Sequence, residues 1–270
     1  DPNILMKLSR LGSFHQSKLS FLRSFLNEFK TWEFKKDLFD LNESGYGTAI
    51  YSLRKEKRIY SLVCFSNELK ESERSDRVIA TKWDAAFTLY DGVPSKQDVE
   101  RLRSEVPKQE IGRLSYKELT LSRANKSLRA FDHVVENLSK GKQPDVNFLS
   151  KVGYLYRTTA VYGSGKFGLA DRFRIKNRKE IYGPFRLEMM LVYLVRQFTF
   201  DQVNHVAYHK NPKIAVQLDH NICKNLGIGN STGLGMAPFI VNHPTLLNNW
   251  ILSRERALKN IREIKNVKSQ

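Results

Sequence analysis

Two apolar runs of similar length, residues 47–53 and 58–65, flank the polar tetrapeptide Arg54-Lys55-Glu56-Lys57. Strand-forming segments on both sides of a short polar break specify a β-hairpin more firmly than any other pattern in the chain. The hairpin has neighbours of the same kind. Residues 31–41 alternate around Trp32, Phe34 and Leu38, and residues 77–89 carry Val78, Ile79, Trp83, Phe87 and Leu89. Four such segments in succession predict an antiparallel meander. Before them, Leu19, Leu22, Leu26 and Phe29 recur three and four apart, so residues 13–29 read as an amphipathic helix lying on one face of that sheet.

Past Pro94 the reading turns helical. Ser95 and Asp98 form a capping pair that starts a helix running to about Glu105. Residues 116–138, with Leu119, Leu121, Leu128, Phe131, Val134, Val135 and Leu138, read as a second helix, placing Arg123, Lys126 and Arg129 on one side of it. Residues 146–156 form a short apolar segment. Longer helices are expected over 184–208, over 212–226 with Gly227 as its C-cap, and over 244–264. The expected class is therefore α+β: an N-terminal helix plus an antiparallel meander of about four strands, followed by a larger, mostly α-helical C-terminal half. The boundary falls near residue 110, with residues 1–110 as the sheet part and 111–270 as the helical part, in one globule or two.

Charge follows the same boundary. The chain holds 45 Lys and Arg against 28 Asp and Glu, a net of +17. Residues 1–110 account for +2 of this and residues 111–270 for +15. A field of one sign attracts anions, so the expected partner is a small molecule bearing phosphate or carboxylate. The alternative is nucleic acid on the basic half. A third reading is a scaffold that self-associates through the 184–208 helix. No apolar run approaches the roughly 18 residues of a membrane span. The first residues lack the basic and apolar pattern of a secretory leader. Cys64 and Cys223 stand far apart with no CxxC spacing, which fits reduced thiols. Together these features point to a cytoplasmic protein without a membrane partner.

Two glycine-rich segments are the first candidates for chemistry. The stretch Tyr162-Gly163-Ser164-Gly165-Lys166-Phe167-Gly168, followed by Arg172 and Arg174, lets the backbone approach an anion closely. It does not match a Walker loop, because Phe167 follows the lysine. Gly163, Gly165, Lys166, Arg172 and Arg174 are its ligand-binding candidates. The second stretch, residues 227–235, places Asn230, Ser231, Thr232 and Gly233 between apolar flanks in an uncharged loop. Asn230 and Gly233 would bind ligand there, and Ser231 and Thr232 would orient the reacting part.

For proton transfer, His205 and Glu188 on the 184–208 helix are the candidates. Asp201, His205 and His209 recur four apart and share one helix face. The pattern lacks the glutamate of HExxH sites, so no metal is assigned. No cofactor is specified. The balance of these features leans toward an enzyme without fixing a reaction class.

Overall fold

The computed structural model describes residues 31–73, 83–105, 117–161 and 184–229, together with Leu252, Glu255, Arg256 and Lys259. Among the described residues its centre is one mixed sheet with seven strands in sequential order, curled toward a half-barrel. The strands are β1 (Glu33–Leu41), β2 (Gly47–Lys55), β3 (Arg58–Ser66), β4 (Ala85–Asp91), β5 (Glu118–Lys126), β6 (Tyr154–Val161) and β7 (Gly227–Gly229). Pairing is antiparallel from β1 to β6, and β6–β7 is parallel.

Local chemistry sets the turns. Asn42 Oδ1 accepts the N–H groups of Ser44 (3.1 Å) and Tyr46 (2.9 Å), folding the β1–β2 connection on itself. The β2–β3 turn is two residues long, and Glu56 takes a left-handed φ of 56°. A side chain there costs about 1 kcal/mol. Glu56→Gly is therefore expected to raise stability by about 0.5 kcal/mol, read as a higher urea midpoint with an unchanged slope.

Strands β2, β3 and β4 are buried on both faces. Ala49, Tyr51, Leu53, Leu62, Cys64, Phe87 and Leu89 belong to the larger core. Ile50, Val63, Phe65, Ala86 and Tyr90 form a smaller one with Leu102 of α1 (Lys96–Glu105). The α1 cap is the expected one: Ser95 Oγ accepts the Asp98 N–H, and Asp98 Oδ2 accepts the Ser95 N–H and O–H.

On the main-core face, α2 (Leu128–Ser139) packs beside α4 (Pro184–Lys210), a 27-residue helix that touches β2 through β7. The rings of Phe87, Tyr156 and Phe198 meet at centroid distances of 5.8–6.3 Å, and Phe131 adds an edge contact to Tyr156. Such pairs contribute about 0.5–1.5 kcal/mol each beyond burial. Two further helices among the described segments are short: α3 (Val146–Val152) and α5 (His220–Asn225). Among the described residues, no helix is long and apolar enough to cross a membrane.

The α+β expectation, an N-terminal helix and meander followed by a mostly helical C-terminal half, is overturned. Four strands lie within or beside the stretches read as strand, but the sheet continues through β5, β6 and β7. Residues 116–138 are strand then helix, because Leu119 and Leu121 recur at period two and the segment pairs with strands on both sides. Arg123 and Lys126 accordingly lie on β5, not on a helix face. The expected 212–226 helix shrinks to α5. The segment before it binds sideways instead, Val216 N–H to Leu138 O (3.1 Å) and Leu218 N–H to Asn204 Oδ1 (2.8 Å). The glycine-rich run does not open as an interhelical loop. Gly227 and Gly229 are strand residues paired with Tyr154 and Arg157, and Gly227 does not cap a helix. The expected helices over 13–29 and 244–264 lie wholly or mostly outside the described residues.

Candidate functional site at the turn end of the sheet

The C-terminal half of α4 carries Asp201, Gln202, His205, Val206, His209 and Lys210 toward the end of the sheet where β1 turns into β2. Three of these side chains hold that end together. Gln202, fully buried, donates to Gly45 O (2.7 Å) and Ser66 Oγ (2.9 Å) and accepts from the Tyr156 hydroxyl (3.0 Å). His205 Nε2 donates to Asn42 O at 2.9 Å, which leaves Nδ1 as its acceptor. Asp201 accepts from the Tyr51 hydroxyl (2.8 Å) on its core side and pairs with Lys36 (2.6 Å) on its outer side. Burial, reinforced by the Asp201 charge, keeps the Tyr51 phenol protonated far above its ordinary range.

Two cavities flank this anchored turn. The first, about 370 Å³, is lined by Glu43, Ser44 and Tyr46 from the turn, Lys126 from the end of β5, Phe131 and Asp132 from α2, and His209 and Lys210 from α4. Leucine and valine side chains complete its floor. The Lys126 ammonium sits 4.7 Å from the ring centroids of both Tyr46 and Phe131. Its backbone N–H donates to the buried carboxylate of Asp84 (2.9 Å), which fixes the strand end that carries it. Lys210 pairs with Glu136. Glu43, Asp132 and His209 form no side-chain hydrogen bond or ion pair among the described residues.

The second cavity, about 330 Å³, is lined by Lys36, Phe39, Asp201, Asn204, His205, Tyr208 and residues 215–217. The ring of His205 faces this side, and the ring of His209 lies 4.4 Å away toward the first cavity. The two histidines thus form a ridge between the cavities. Among the described residues, no three His, Cys, Asp or Glu side chains converge as a metal-binding set.

No protein family, curated protein or solved structure matches the chain. The reading of the site therefore rests on its own chemistry.

The sequence candidates divide sharply. His205 lies at the site, and its helix neighbours Asp201 and His209 share its face, as the four-residue spacing requires. Glu188 lies on α4, more than four turns toward its N-terminus. Gly163, Gly165, Lys166, Arg172, Arg174, Asn230, Ser231, Thr232 and Gly233 lie outside the described residues. The sequence reading missed Glu43, Tyr46, Phe131 and Asp132. The signal for the first two was Asn42 followed by Gly45 and Gly47, an Asx turn with two flexible positions.

Charge also divides in a way the residue-110 boundary did not anticipate. The described residues hold 25 of the 45 basic and 21 of the 28 acidic side chains, an excess of +4. The other +13 belongs to the remaining segments, including residues 162–183.

Proposed function

We propose that the first cavity binds a small molecule carrying a phosphate or carboxylate, anchored on Lys126. The observation that carries this is the placement of the Lys126 ammonium against two aromatic rings inside a cavity of about 370 Å³. Ordering a free lysine side chain costs about 1.5–2 kcal/mol. The rings and the anchored strand end meet much of that cost before ligand arrives, so the ammonium is already positioned. Glu43 and Asp132 line the same space with no cation among the described residues bound to them, which suits a ligand whose remainder is polar or cationic. His209 supplies an imidazole in the same cavity, and proton transfer to the bound molecule is the chemistry it makes available.

A test is Lys126→Met, which keeps the apolar stem and removes the charge. A thermal-shift screen of phosphate- and carboxylate-bearing metabolites on the wild-type protein identifies ligands. The variant is expected to bind them at least tenfold more weakly while melting within a few degrees of wild type without ligand. Unchanged affinity would refute the assignment. A second reading is nucleic-acid binding by the basic segments, favoured by the +13 charge carried by residues other than the described ones. Binding of a mixed-sequence oligonucleotide that falls steeply with salt and ignores Lys126→Met would select that reading.

A further inference from the structure

We propose that Arg196 is a second anion site, taking a carboxylate or phosphate oxyanion where α4 meets α5, independently of the Lys126 cavity. Arg196 is only 7% exposed. One of its nitrogens, Nη2, donates to Cys223 O at 2.6 Å, and the guanidinium lies 5.6 Å from the Phe200 ring centroid. Its Nε–H is buried with no acceptor among the described residues. Among the described residues no carboxylate pairs with it.

The ionisable groups that bear on Arg196 are Tyr193 and Cys223. Both are neutral near pH 7, because burial raises the Tyr193 phenol and pushes the Cys223 thiol up to about 11. Asp219 is the nearest acidic influence on Cys223, but its carboxylate caps the other end of α5 through the Asn221 N–H (2.7 Å). Among the described residues the positive charge is therefore buried without a counter-charge, and burial lowers the guanidinium to about 10.

A purely structural duty accounts for only part of this. Cys223 O belongs to the last turn of α5. The Gly227 N–H, the usual i+4 partner, goes to Gly153 O instead (3.2 Å). Arg196 fills that orphan acceptor. One neutral donor would do the same, whereas a guanidinium brings five N–H groups and a charge. Its fork matches the paired oxygens of carboxylate or phosphate. The position also connects to the sequence: Gly227, four residues beyond Cys223, is the first glycine of the 227–235 run.

The experiment compares wild type with Arg196→Met, an apolar replacement of similar length, in inorganic phosphate and in acetate. Without either anion, the variant is expected to melt higher than wild type, because an uncompensated buried charge is gone. Phosphate or acetate is expected to raise the wild-type Tm by several degrees more than that of the variant. Any contribution from the Lys126 cavity is common to both proteins and cancels in the difference. Equal shifts in both anions would overturn the proposal. If Arg196→Met does not fold, Arg196→Lys replaces it. That variant keeps the charge and loses the fork, so it should lose at least half of the anion-dependent shift, and an undiminished shift overturns the assignment.

Discussion

Gly47→Ala is expected to leave little folded protein. Gly47 has φ +148°, and a Cβ there would stand 2.1 Å from Asp40 O and 3.0 Å from Leu41 Cα. Both obstacles are backbone atoms of β1, so no side-chain rotation relieves the clash. The methyl group forces β1 off β2 at the Leu41–Gly47 pair, and with it the turn that walls the first cavity. The loss should exceed about 4 kcal/mol, a large share of the roughly 5–15 kcal/mol that holds a domain together. Gly92→Ala is the control. It also has positive φ (+99°), but its Cβ would meet nothing within 4 Å. It should cost only the left-handed strain, about 1 kcal/mol. Urea unfolding of the pair reads the difference directly. Similar midpoints for the two variants would show that the β1–β2 register is not as described.

The second large effect is expected at Gln202→Leu. The two side chains are similar in volume, so packing changes little. The amide, however, joins three separated parts of the chain: the β1–β2 turn at Gly45, the end of β3 at Ser66 and the start of β6 at Tyr156. Leucine leaves the Tyr156 hydroxyl and the Gly45 carbonyl without this buried partner. Each orphaned group costs about 1–3 kcal/mol, and the gain from burying leucine returns part of that. A net loss of about 3 kcal/mol follows. Hydrogen exchange should locate it, with protection falling first at residues 42–47, which also lean on His205. A loss spread evenly over the sheet, or none, would remove Gln202 as the clamp of the turn.

Legibility in the sequence ended where tertiary pairing began to decide. The hairpin around residues 54–57 was readable because both runs are mostly apolar, with only small hydroxyl side chains among their buried polar positions, as suits strands buried on two faces. The α1 cap was readable because Ser95 and Asp98 satisfy each other locally. Segment 118–126 was not, because its Leu119 and Leu121 also fit the helical period of the residues that follow, and only β4 and β6 settle it as a strand. Gly227 and Gly229 misled for a related reason. Glycine is rare inside strands, yet here a three-residue strand with Ile228 buried completes the sheet. At the site, the spacing of Asp201, His205 and His209 was a helix property and therefore visible. Lys126 has Phe131 five residues away, but it meets Tyr46 through a contact 80 residues apart in sequence, which no local pattern encodes. Arg196 lies in the apolar stretch of α4 and is buried there, a placement that only the tertiary packing reveals.

The parallel β6–β7 pair sets an order of assembly. Each pair from β1 to β6 joins consecutive strands, and the β2–β3 turn is only two residues long. The last pair brings Tyr154 to Gly227, closing about 70 residues of chain for a contact only three residues wide. Its closure entropy is repaid only after α4 lies across the sheet, since α4 occupies most of the intervening chain that is described. The meander with α4 docked is thus the platform, and β7 is the latch, the last of the described strands to pair. Because α5 precedes β7 directly, the Arg196–Cys223 contact forms with that final step. An anion held at Arg196 would therefore slow the release of the latch more than the unravelling of the meander.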